Sequence, residues 1–150
     1  MDKIKFEVID PDAAPGDYAS KEDPSPYTYL ADPTRDIQNL KDADEVVIQE
    51  SSIRVVVDYP LSGEFVFQVV PPDGLQYFTR ATLAIAIAML YQKLYEEEDQ
   101  TSPKVAGVIP GVYNRECSAG KYGIWGHGLG DLSLQGVYKR GSHYELGIDS

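Results

Sequence analysis

The 150 residues, 43% of them hydrophobic and 25% charged, suit one globular domain over 1–150 that buries roughly two thirds of its unfolded surface. A net charge of −11 without a basic stripe argues against nucleic-acid binding through counterion release; it reads first as a charge that keeps a small protein soluble, and otherwise as a surface for a basic protein partner. No run approaches the ~20 apolar residues of a membrane span, MDKIKFEVID interleaves charge from its second residue, and Cys117 is the single cysteine, so membrane spans, a secretion leader and internal disulfides are not expected and the expected compartment is the cytoplasm.

Residues 3–9, KIKFEVI, alternate Ile4, Phe6 and Val8 with Lys3, Lys5 and Glu7, the period of a strand with one wet face. From Asp10 to Asp36 five of the ten prolines break the chain and the periodicity stops. A long irregular excursion without helix or ladder is expected over 10–36, either pinned to the domain by Tyr18, Tyr27, Tyr29 and Leu30 or held as a mobile arm. Asp10, Asp12 and Asp17 suggest a calcium loop, but its sixth and twelfth positions hold Pro15 and Lys21 where glycine and glutamate are required.

Three segments of 44–70, DEVVIQE, SIRVVVDYP and EFVFQVV, read as an antiparallel meander. Setting Val57 against Phe65, Val55 against Phe67 and Ile53 against Val69 makes one face a continuous apolar surface. Val56, Val66 and Val70 make the other face partly apolar, so a cover over it is expected. After the turn cluster at Pro71–Gly74, Thr79 reads as an N-cap, and Leu83, Ile87, Leu90, Tyr91 and Leu94 recur with helical period. The alanines, Ile85 and Met89 widen the apolar arc, so burial of most of the circumference is expected. The acidic run Glu96, Glu97, Glu98 and Asp99 then stands at the helix C-terminus, where the dipole disfavours it, either by drift or as a contact patch.

The last third returns to strands. Pro110 makes 104–114 an edge or loop segment. Leu132, Leu134, Gly136 and Tyr138 alternate, as do Tyr144, Leu146 and Ile148, which predicts a hairpin with Tyr138 opposite Tyr144, Leu134 opposite Ile148, and a three-residue loop at 140–142. His143 then lies beside Lys139 at the turn end, and His127 at the other end, roughly 20 Å away by strand rise, so the two share no metal. The register brings Asp131, Asp149 and the C-terminus to the mouth of the run KYGIWGHGLGDLSLQG (121–136), where His127 is expected to face them. That run is no phosphate cradle, because its glycines follow G-x-G-x-G and a strand comes next. Trp125 reads as a plug over the core or an anchor for a partner.

An α+β fold follows: an antiparallel sheet of five or six strands with one long amphipathic helix, about 79–98, packed on it. The expected function is a soluble, non-enzymatic binding or adaptor module without cofactor or metal. It would recognise another protein through the acidic surfaces and the aromatic glycine-rich loop, with Trp125, His127, Asp131, Asp149 and Glu96 to Asp99 as binding residues. The first alternative is a small hydrolase-like or transferase-like enzyme using His127 with Asp131, for which Ser133, Ser118 and Cys117 are the available nucleophiles. The second is an acidic mimic of nucleic acid, resting on the 13 acidic against 5 basic residues of positions 1–50.

Overall fold

The computed structural model describes residues 3–101, 120–124 and 127–150, together with the backbone of 107–108 and 116–117. It is an α+β fold in which one long helix covers the inner face of a six-stranded sheet. The strands of that sheet are β1 (Lys3–Lys5), β2 (Thr28–Tyr29), β4 (Ile53–Val57), β5 (Phe65–Val69), β9 (Ser133–Arg140) and β10 (His143–Asp149). Their order is β1-β9-β10-β4-β5, with β2 also pairing β9. The short strands β3 (Val46–Ile48) and β6 (Phe78–Thr79) form a two-stranded sheet, as do β7 (Gly107–Val108) and β8 (Glu116–Cys117).

The β4–β5 register is the one the alternation predicts, with Val57 opposite Phe65, Val55 opposite Phe67 and Ile53 opposite Val69. Ile53, Val55 and Val57 are buried in the core. The meander does not extend to a third strand. The other edge of β4 is taken by β10, which runs parallel to it with Tyr144 opposite Val55, and β3 pairs β6 instead. One parallel pairing therefore interrupts a sheet expected to be wholly antiparallel. The expected cover over the outer face is not found among the described residues, where Val66 stays 62% exposed.

The terminal hairpin corrects the predicted register at its turn end. Tyr138 faces Glu145 rather than Tyr144, and the connection is only Gly141-Ser142, with Gly141 at a φ of 63° that a side chain would strain. Between Gly147 and Ile148 the register shifts, and Leu134 then faces Ile148 as predicted. Gln135 is the extra residue of this bulge. It reverses the facing of the turn-proximal half of β9, so Val137 is buried in place of Tyr138. Tyr138 lies on the outer face beneath the ammonium of Lys3, while His143 pairs with Glu145 at 3.1 Å instead of sitting beside Lys139.

Helix α2 (Arg80–Thr101) begins where expected. The Thr82 N–H donates to Thr79 Oγ1 at 3.1 Å and the Thr79 N–H donates to Thr82 Oγ1 at 2.8 Å, a reciprocal cap with threonine in both roles. Leu83, Ile87, Tyr91 and Leu94 are buried, each contributing about 1.5–3 kcal/mol by removal from water. Buried positions from Ala86 round to Ala88 span roughly 200° at about 100° per residue, most of the circumference as expected, and Met89 on the remaining arc is 59% exposed.

The 10–36 stretch is pinned. Val8 and Ser25 exchange backbone hydrogen bonds at 2.8 and 2.9 Å, and the Asp10 N–H donates to the Ala19 carbonyl at 2.7 Å. It also contains β2 and the one-turn helix α1 (Pro33–Ile37), two elements that the proline density does not predict. Asp36 holds them together by accepting from the Tyr29 N–H at 2.8 Å. Leu30 and Thr28 are the buried anchors, whereas Tyr18 is exposed.

Candidate functional site

Glu98 continues the apolar stripe of α2, four residues beyond Leu94 and seven beyond Tyr91, and is buried to 2% exposure. A carboxylate there would be destabilising by several kcal/mol if left bare. The glycine run supplies backbone donors. Tyr122 and Gly123 N–H groups donate to Oε1 at 2.8 and 3.2 Å, and Gly120 and Ile124 N–H groups donate to Oε2 at 2.9 and 3.4 Å. Such charge-assisted bonds offset the desolvation. The approach requires glycine at 120, where a Cβ would lie 2.8 Å from the Glu98 carboxyl carbon.

Glu97 completes this clamp. Its Oε2 accepts from the Tyr122 hydroxyl at 2.6 Å and from Lys121 Nζ at 3.2 Å. The Tyr122 hydroxyl, then Lys121, hold the Glu97 carboxyl below the usual carboxylate range, while Glu97 holds the Lys121 ammonium above its own. The acidic run thus divides: Glu97 and Glu98 fasten the glycine run, and Glu96 and Asp99 are exposed. Tyr122, fixed in this way, packs edge-on against Phe65 at 5.0 Å.

The second half of the run meets a tyrosine cluster. The Tyr95 hydroxyl donates to the His127 carbonyl at 2.9 Å, and the Tyr91 hydroxyl donates to the Tyr59 carbonyl at 2.8 Å. The Tyr59 ring lies 5.8 Å from the His127 ring, and its hydroxyl shares a 2.7 Å hydrogen bond with Ser150 Oγ. His127 thereby comes near the last residue through Tyr59. The carboxylates expected to face it are engaged elsewhere: Asp131 accepts from the Gly128 N–H at 3.3 Å, and Asp149 from Gln135 Nε2 at 3.0 Å and the Ser150 N–H at 2.8 Å. Among the described residues none of them hydrogen-bonds the His127 ring, so the orienting contact of a His–Asp acid–base pair is not formed between His127 and Asp131. Burial first, and the Asp131 charge second, push the Tyr95 hydroxyl well above the ordinary tyrosine range. Ser133 is buried in β9. Trp125, Ser118 and the Cys117 side chain lie outside the described residues.

Beside the clamp, a groove of about 620 Å³ runs between β5 and α2. Phe67 and Val70 form its sheet wall, and Ala86, Met89 and Leu90 its helix wall. Tyr122, Lys93, Glu96 and Glu97 also line it. Val70 and Met89 are 60% and 59% exposed. The alternation in 65–69 carries the signal for apolar residues on both faces of β5, but not for an edge position, which depends on β10 taking the other side of β4. Among the described residues no helix is long and apolar enough to cross a membrane, and no three His, Cys, Asp or Glu side chains converge as metal ligands.

Set against models of protein families, against curated proteins and against solved structures, the chain matches none.

Proposed function

We propose that the protein is a non-enzymatic binding module that recognises another protein through the groove between β5 and α2. The observation that carries this reading is an open groove with apolar side chains on both sides, half-buried Phe67 from β5 and Met89, 59% exposed, from α2. Apolar side chains gathered in this way mark interaction sites more often than bare surface. The net charge of −11 supports a basic partner, while at the groove itself Lys93 stands beside Glu96 and Glu97 is already paired with Lys121. The single cysteine supports the reducing cytoplasm as the place of action.

Selection of a phage-displayed random dodecapeptide library on the full chain tests the reading. Selected peptides should bind the chain in solution, and Met89→Glu should weaken them by about ten-fold or more, equivalent to ~1.4 kcal/mol. His127→Ala should leave their affinity unchanged. Failure to enrich any peptide, or affinities indifferent to Met89→Glu, overturns it.

A further inference from the structure

We infer that the occupant of this groove is an extended segment that adds to the free edge of β5 as a further strand of the main sheet. The inference rests on reading the groove as a protein-binding site and specifies how the partner is held. Three features of the two sheet edges carry it.

The first is the bare edge itself. β5 pairs β4 along Phe65–Val69, and among the described residues no strand pairs its other side. Alternate residues of an edge strand turn their N–H and C=O groups outward, which makes a row of donors and acceptors that a second chain can match.

The second is that β5 carries none of the devices that blunt such an edge. The sequence FVFQV has no proline, no lysine and no charge, and the β4–β5 register runs without a bulge. The opposite edge is built differently. There the outer strands β1 and β2 are three and two residues long, and β1 turns Lys3 and Lys5 outward beside β9. Among the described residues one edge is protected and the other is not, within a single sheet.

The third is the wall that faces the bare edge. Ala86, Met89 and Leu90 line the groove with Phe67 and Val69 of the helix-facing side of β5, where every second side chain of an added strand would enter. An unbranched methionine adapts to different side chains, which suits a site that obtains affinity from the backbone and selects by shape. A helical occupant would cover Met89 but leave the outward groups of β5 without partners. The occupant is therefore an extended segment of alternating apolar residues.

The test uses the isotope-labelled full chain and the tightest peptide from the dodecapeptide selection. Amide hydrogen exchange within Phe65–Val69 should slow about ten-fold or more at alternate positions when the peptide binds, a gain in protection of ~1.4 kcal/mol or more. N-methylation of every second peptide amide should weaken binding about ten-fold or more in one frame and little in the other. A peptide that is sensitive to Met89→Glu but leaves exchange in β5 unchanged, or responds equally to both methylation frames, overturns strand addition while leaving the groove as a binding site. A peptide insensitive to Met89→Glu removes both.

Discussion

At the scale of single residues, Glu98 decides how the glycine run is attached to the body of the protein. Its neighbours in sequence, Glu96, Glu97 and Asp99, disguise it as one more surface acid. Its spacing from Tyr91 and Leu94 is what identifies it as an inward residue, and that signal is present in the sequence. The donors are not legible there, because they are backbone groups of 120–124 whose approach depends on the long-range return of the chain. Glu98→Gln keeps the shape but turns an amide NH₂ toward backbone N–H groups. It should lower stability by about 2–4 kcal/mol, the penalty for charge-assisted bonds replaced by a donor clash, whereas Asp99→Asn should stay within about 0.5 kcal/mol. Urea unfolding of the two variants measures the difference, and equal midpoints would refute the clamp.

At the scale of elements, the strands of 53–69 and the start of α2 follow from local pattern. A period-two run on either side of a Pro-Gly turn fixes one register, and Thr79 before a run free of glycine and proline fixes one helix start. The turn half of β9–β10 resists the same reasoning. Gln135 adds one residue to one strand, and a period-two rule applied across it exchanges Tyr138 for Val137. β10 beside β4 is equally hidden, because a parallel neighbour 85 residues further along the chain leaves no trace in either strand's own alternation. The bulge has a measurable role. Deleting Gln135 forces either Val137 or Leu134 out of the core, so it should cost about 2–4 kcal/mol, while Gln135→Ala should be nearly neutral. Thermal unfolding of both proteins compares them, and a deletion as mild as the substitution would count against the assignment of Gln135 as the inserted residue.

At the scale of the whole molecule, charge and buried hydroxyls act together at high pH. Tyr91, 1% exposed, has its hydroxyl pushed far above the ordinary tyrosine value near 10, first by burial and then by Asp58. Tyr144 is shifted the same way by burial and by Glu50. Above pH 10 the unfolded chain releases these protons and the folded chain keeps them. Their contribution is therefore complete below about pH 10 and declines as pH rises, at about 1.4 kcal/mol per pH unit for Tyr91 alone once the unfolded form is ionised. The existing excess of negative charge steepens the decline. Urea midpoints should be level from pH 7 to 9 and fall beyond pH 10, and Tyr91→Phe should flatten the fall while lowering the plateau by the lost bond to the Tyr59 carbonyl. A midpoint unchanged up to pH 11 would contradict the burial of these hydroxyls.

The position of β10 also sets a timetable. It is the last strand in chain order but lies between β9 and β4, so the sheet has no centre until it emerges. At ribosomal speeds of ~5–20 residues per second, the β4–β5 hairpin, complete at Val69, waits about 4–16 s for the 80 further residues that complete β10 at Asp149. Throughout that interval both edges of a very apolar hairpin are open. A substitution that weakens β10 will accordingly be felt first during synthesis, as a nascent chain captured by chaperones or by other copies of itself.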